Sequence, residues 1–468
     1  MSMFEPDDYR TCHNCDEVAI IDIRKLCEQC YTSGNKKIDN FITDTQLSGL
    51  ILFLKEYKII KPKSQPYPYL VWVSFNNFSD IKYIAEGGFS KIFKATWNLN
   101  GQKRDIVLKV LNYSKNADTK FLNELKLIYQ LKSKFVIKCY GATKDPKTKN
   151  YAFILDYAPS GDLNHFLHGN FKKVTWKKKI NLFRDIIIGI KLLHDKKIIH
   201  CDLHSGNILI ITNDDVFEAV ISDLEFSQQI TSNSENSKKS QIYGVIPCVA
   251  PELFKGEPYS YASDIYSLGM IMWQLTSGHR PFHDRQYGPK LILDILDGKR
   301  PESTEDTPEC WENLMKKCWH PNPSQRPTID EICQLFLDFK YYCDHSKDDI
   351  KKHYSNKYWL EFKKAEKARL EMIKSKKPFV DNPGYKHPGS RYFSRLLDLE
   401  SISTITSSSD QNSELELSDQ PSIDNFDIMN NNSDIENSVF EENEENEENL
   451  IFTFFYLLLF HILLHKLN

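Results

Sequence analysis

No lysine or arginine occurs between residues 398 and 449, a stretch that holds sixteen Asp and Glu. With so little apolar content it cannot bury enough surface to fold alone, and it reads as a disordered acidic tail. The tail conceals a basic body: the overall net charge of −4 becomes about +11 over residues 1–397. A basic-then-apolar leader is also lacking, because the chain starts MSMFEPDDYR. That excludes the pattern of a secretory signal and places the body in the reducing cytosol or nucleus, where disulfides are not expected. Seven of the eleven cysteines (Cys139, Cys201, Cys248, Cys310, Cys318, Cys333 and Cys343) are scattered and read as small buried apolar side chains. The remaining composition, 41% hydrophobic and 26% charged over 468 residues, suits two or three globular units.

The other four cysteines come as two C-x-x-C pairs, Cys12 with Cys15 and Cys27 with Cys30. Two such knuckles can place four thiolates around structural zinc, which offsets the small core that some thirty residues can build. A redox role for C-x-x-C needs a βαβ context that is absent here. Residues 1–34 are therefore read as a zinc-ribbon-like segment, with His13 solvent exposed and the segment's partner unknown. Little basic or aromatic patterning accompanies it, so no nucleic acid is expected. Apolar residues then recur at helical spacing (Ile38, Phe41, Ile42, Leu47, Leu50, Ile51, Leu54), which predicts a helix or helix pair that packs on a neighbour. KPKSQPYPY, residues 61–69, reads as a linker. Together these make a helical and proline-containing segment over 35–75.

Chemistry concentrates further on. IHCDLHSGNIL, residues 199–209, sets Asp202 and Asn207 five positions apart on a polar loop between apolar runs, which suits a base held beside a metal ligand. Upstream, IKYIAEGGFSKIFKATW joins two strand-like runs at Glu86, Gly87 and Gly88, a turn whose backbone amides could approach phosphates. In DIVLKV, Lys109 lies between apolar neighbours and demands a counter-charge, and the helical run TKFLNELKLIYQL supplies Glu124. YAFILDYA is a buried strand breaking into a turn, and AVISDLE is a strand ending at Asp223.

In this order the motifs resemble those of protein kinases, over about residues 78–340. The resemblance implies an α+β, bilobal fold with a small β-rich N-lobe and a large helical C-lobe, over 76–340. Through the C-W and R-P spacing of KKCWHPNPSQRPT the chain is more like the tyrosine kinase-like group of serine/threonine kinases, and tyrosine kinases themselves, than other branches. By that resemblance Asp202 handles the substrate hydroxyl, Lys109 paired with Glu124 holds ATP phosphates, and Asn207 and Asp223 bind magnesium. Ala85, Glu86, Gly87, Gly88, Phe89 and Ser90 would cover the nucleotide with Ile92 and Val107. Leu155 would be the gatekeeper, and backbone groups of Asp156 and Ala158 would bond adenine. Asp264 would brace the catalytic loop, and Arg326 would pair with Glu252 of the A-P-E triplet Ala250, Pro251 and Glu252. Thr231, Ser232, Ser234, Ser237, Ser240 and Tyr243 are candidate phosphosites in the activation segment.

Several positions depart from the family pattern. Ala85 and Ser90 replace glycines, Glu225 replaces the glycine after Asp223 and Leu224, and Cys201 replaces an arginine. Without that guanidinium, loop phosphorylation is not expected to be required for activity. His204 and Val245 stand where serine/threonine kinases carry Lys and Thr, and tyrosine-kinase loop signatures are missing too. The expected function is transfer of the ATP γ-phosphate to serine or threonine of a protein substrate, with tyrosine less favoured. The alternative is a pseudokinase scaffold. Residues 341–397 read as a basic helical extension packed on the large lobe. Residues 450–468 are nearly all apolar; a tail anchor that leaves the kinase domain facing the cytosol is one reading, a partner-binding segment or a non-native chain end another.

Overall fold

A computed structural model describes residues 9–11, 18–20, 33–56, 69–87, 90–99, 102–112, 119–213, 216–229, 242–344, 357–375 and 394–397. Strands β1 (Tyr9–Thr11) and β2 (Val18–Ile20) form an antiparallel hairpin with Thr11 opposite Val18. Cys12 and Cys15 fall between them in sequence, but all four paired cysteines lie outside the described residues. Helix α1 (Lys36–Glu56) follows as one helix, not a pair. Then come β3 (Val71–Trp72), β4 (Phe78–Glu86), β5 (Ser90–Leu99), β6 (Gln102–Leu111), α2 (Thr119–Gln130), β7 (Cys139–Lys144) and β8 (Tyr151–Asp156). The six strands make one sheet, ordered β3-β7-β8-β6-β5-β4 and antiparallel except where β3 runs parallel to β7. It starts at Val71, within the segment that the sequence assigns to helix and linker.

Alternation along the strands gives this sheet two apolar faces. One buries Phe78, Trp97, Leu108 and Ile154. The other buries Trp72, Tyr151 and Phe153, with Phe153 stacked on Phe121 of α2 at 4.6 Å. Ile38 and Ile42, one helical turn apart, drop into this second cluster. Thr45 ties the corner, accepting from the Leu70 amide (3.2 Å) through Oγ1 and from Tyr129 Oη (3.1 Å) through its carbonyl. Helix α1 is thereby packed against both β3 and α2.

The second lobe is mostly helical. In chain order it has α3 (Leu163–Asn170), α4 (Trp176–Asp195), β9 (Ile198–Ile199), β10 (Ile208–Asn213), β11 (Val216–Ile221), β12 (Gln228–Gln229) and β13 (Ile242–Gly244). These lead to α5 (Pro251–Phe254), α6 (Tyr261–Ser277), α7 (Pro289–Leu296), α8 (Glu309–Cys318), α9 (Ile329–Asp344), α10 (Lys357–Lys374) and β14 (Arg395–Leu397). Helix α6 is the axis, with every residue over 263–277 buried. Its sequence is apolar nearly all round, as a helix inside a lobe must be. A Ser260/Ser263 capping box starts it. It stops at Gly278, whose φ of +74° is left-handed and where a Cβ would meet the Phe171 ring at 2.6 Å.

Helix α10 packs on this lobe, burying Phe362 and Ala365 in the same core as Trp176, Trp311 and Phe339. Its carboxylates also finish two other helices: Glu366 accepts from the Trp176 amide (2.9 Å) and Glu361 from that of Cys310 (2.6 Å). No helix among the described residues is long and apolar enough to cross a membrane. The acidic stretch and the apolar end lie outside those residues.

Candidate active site

Lys109 is carried into the cleft by β6, where strand pairing sets it opposite Ile92 on one side and Phe153 on the other. Its Nζ is buried and is met by Asp223 Oδ1 at 2.8 Å, Glu124 Oε1 at 3.0 Å and Glu225 Oε2 at 3.5 Å. Burial would depress the lysine, but Asp223, Glu124 and Glu225 outweigh it and hold it well above its ordinary value. Burial pushes the Glu124 carboxyl up to about 7, against the pull of Lys109, and Asp223 and Glu225 add to the rise. Burial works the same way on Asp223, but there Lys109 wins and the carboxyl lies below its usual range. Leu224, the next residue, is buried in one apolar cluster with Ile128 and Leu131 at the end of α2. Asp223 has φ 56°, a left-handed conformation uncommon for a residue other than glycine.

Asp202 and Asn207 meet as their spacing suggests. Asn207 Nδ2 donates to the Asp202 carbonyl (2.9 Å) and to Asp202 Oδ2 (3.2 Å). Asp264 at the start of α6 holds the loop by accepting from the amides of His200 (2.9 Å) and Cys201 (3.1 Å), and His194 Nε2 lies 2.9 Å from it. Cys201 is buried with φ 68°. Asp202 Oδ1 is buried and has no hydrogen-bond partner among the described residues.

Two oxygens suit a hard cation. Asn207 Nδ2 is committed to Asp202, so Oδ1 is the amide's accepting end. Among the described residues the hydrogen bonds to Asp223, from Lys109 Nζ and from the Glu225 amide (3.4 Å), fall on Oδ1, and Oδ2 would be the oxygen to hold a metal. A carboxylate and an amide oxygen facing one cleft fit magnesium, which keeps its waters and needs few protein ligands. Among the described residues no cluster of three His, Cys, Asp or Glu forms a metal cage.

A profile of protein tyrosine and serine/threonine kinases matches residues 78–336, more than half of the chain. The chain belongs to this family. The kinase is 29% identical over 279 residues to a protein of Acanthamoeba polyphaga mimivirus named as a serine/threonine-protein kinase/receptor, which covers 58% of this chain and 16% of that one. It is 28% identical over 274 residues to a Dictyostelium discoideum protein named as a serine/threonine-protein kinase (56% and 20%). Over 281 residues it is 28% identical to human mitogen-activated protein kinase kinase kinase 7 (57% and 44%). The chain thus spans less than half the length of these relatives. The family uses ATP and magnesium and acts on proteins.

The remaining residues named from sequence scatter more. Gly88 and Phe89 lie outside the described residues, Ala85 and Glu86 are exposed, and Gly87 donates to the Ser90 carbonyl at 2.8 Å to close the hairpin. Val107 pairs with Leu155 across β6 and β8. The Asp156 amide donates to the Lys138 carbonyl (2.9 Å), and the Ala158 carbonyl accepts from the Gly161 amide (3.1 Å). Arg326 forks onto Glu252 with two contacts of 2.7 Å. Of the candidate phosphosites only Tyr243 is described; its ring stacks on Phe226 at 4.5 Å.

Two residues at the site escaped the sequence reading. His204, noted only as a missing lysine, has Nδ1 accepting from the Gly206 amide (3.0 Å), so Nε2 carries the proton. That nitrogen lies 3.6 Å from Asp202 Oδ1 and 2.9 Å from Ser394 Oγ. A Cβ at position 206 would come within 2.8 Å of the imidazole, so glycine there lets the ring rest on the loop. Ser394 is the other. Its Oγ donates to Asp202 Oδ2 at 2.7 Å, from 192 residues away.

Proposed function

We propose that this kinase transfers the γ-phosphoryl group of ATP to serine or threonine hydroxyls of protein substrates in signalling. The observation that supports it best is Lys109, bonded to both Glu124 and Asp223, in the cleft that also holds the Asp202 and Asn207 pair. In this reading Lys109, oriented by Glu124, binds phosphate oxygens, and Asn207 and Asp223 hold magnesium. The bound cation would offset charge on the phosphates. Asp202 orients the attacking hydroxyl and takes its proton. Positioning and fixed charge do most of the work, as phosphoryl transfer requires. The names of the relatives favour serine and threonine over tyrosine.

Glu225 favours a second reading, a scaffold that binds nucleotide weakly, since it adds a third carboxylate beside Lys109. One experiment separates the two. Asp202→Asn is expected to keep Mg-ATP binding by thermal shift and to lower phosphotransfer by roughly 10²–10⁴-fold. An Asp202→Asn protein as active as wild type rejects the assignment; wild type that binds Mg-ATP and phosphorylates nothing supports the scaffold.

Two finer readings join this proposal. Cys12, Cys15, Cys27 and Cys30 hold one zinc, in keeping with the β1/β2 hairpin that brackets the first pair, and metal analysis of the purified chain should return one equivalent. The kinase domain faces the cytosol, with residues 450–468 as a membrane anchor.

A further inference from the structure

We propose that Ser394 is a phosphoacceptor of this same active site, presented in cis as a bound substrate, and that phosphorylation there opens the site to other proteins. This rests on the kinase reading above and adds an acceptor class, a recognition sequence and a mode of regulation. Strand β14 pairs antiparallel with β13 of the activation segment, with Gly244 opposite Arg395, Tyr243 opposite Leu396 and Ile242 opposite Leu397. The pairing fixes the register of the preceding residue. It sets Ser394 Oγ at 2.7 Å from Asp202 Oδ2 and 2.9 Å from His204 Nε2.

Both contacts have the sense that transfer needs. The hydroxyl proton points at the base, and the Nε2–H of His204 holds the oxygen from another side. A segment that merely filled the groove has no need of a hydroxyl there. A tyrosine could not replace it, since its longer side chain would push the backbone out of pairing distance with β13. Side chains beyond the serine alternate as a strand's do. Arg395 donates to the Tyr287 carbonyl and Leu397 is buried in the lobe core, while Leu396 is half exposed. The site therefore reads serine, arginine at the next position and leucine at the third. The eighteen residues between Ser375 and Ser394 can reach roughly 60 Å when extended.

With ATP as donor, the bond between the γ-phosphorus and the β,γ-bridging oxygen breaks and the bond from Ser394 Oγ to phosphorus forms. The hydroxyl proton passes to Asp202 and then to solvent, and ADP leaves. The product carries about −1.5 to −2 charge beside the Asp202 carboxylate, which repels it. Strand β14 then leaves, and the edge of β13 becomes available to another substrate.

The test uses the full chain, treated with phosphatase and then given Mg-ATP, alone and with a synthetic peptide containing Ser-Arg-Leu-Leu. Mass spectrometry should place phosphate on Ser394 at a first-order rate that stays constant over a hundred-fold dilution. Ser394→Ala should remove that phosphate and Ser394→Thr restore it. Without ATP, Leu397→Asp should raise hydrogen exchange at residues 242–244. Peptide phosphorylated while Ser394 stays unmodified overturns this proposal and leaves the kinase reading standing. A rate proportional to concentration overturns the cis presentation, and so does unchanged exchange in Leu397→Asp. No transfer to chain or peptide overturns both this proposal and the kinase reading.

Discussion

Among the described residues three carboxylates lie within 3.5 Å of Lys109, and one of them, Glu225, stands where the family pattern has a glycine. A negative group there competes with incoming phosphates for the same ammonium and repels them as well. Glu225→Gln, which keeps the shape and removes the charge, should tighten Mg-ATP binding by roughly three- to ten-fold, read by calorimetric titration. Unchanged affinity would mean that Glu225 swings clear when nucleotide binds. Lys109, Glu124, Asp202, Asn207 and Asp223 were legible in sequence because each sits in a motif beside an apolar strand or helix pattern and the motifs follow one another in the order seen in kinases. His204 and Ser394 were not. Their meeting depends on the pairing of two short strands about 150 residues apart, and three residues of strand leave no local period to read.

At the scale of elements, α1 was legible as an amphipathic helix, but its seat was not. Its apolar stripe specifies burial without naming the surface, and that surface is β3 together with α2, the helix that carries Glu124. Support for the Lys109–Glu124 pair therefore begins outside the motif-bearing region. Ile38→Ala, which empties a fully buried position, should cost about 2–5 kcal/mol of local stability. Faster hydrogen exchange in α2 and lower phosphotransfer should follow together; faster exchange with full activity would show that α1 is only a prop. Helix α10 makes the same point for the other lobe. A fragment ending at residue 345 loses Phe362 and uncovers Trp176, Trp311 and Phe339, so its thermal midpoint should fall by several degrees against a fragment ending at 375.

Across the whole molecule the two-lobed architecture followed from the order of motifs, whereas the burial of a charge at the centre of the large lobe did not. Lys179 on α4 is fully buried, donating to the Thr276 carbonyl at 3.1 Å and lying 3.7 Å from Asp306. Burial pulls it down to about 8, with Asp306 opposing. Between about 8 and the ordinary lysine value of 10.5 the unfolded chain binds more protons at this residue than the folded one. Its contribution to stability is therefore present above that window and lost as pH falls through about 8. In urea melts the difference between wild type and Lys179→Met should change by up to ~1.4 kcal/mol per pH unit across this range, and a flat difference would place the ammonium in contact with solvent.

The two amides that α10 caps, those of Trp176 and Cys310, lie 190 and 51 residues before their partners in sequence. During synthesis those helix ends and the aromatic cluster beside them stay uncovered until α10 has emerged. Contacts this distant in sequence also slow folding, because the loop must close before they form. The large lobe is therefore a late product of translation, and ribosome-bound chains that stop before residue 357 should be the ones that chaperones hold.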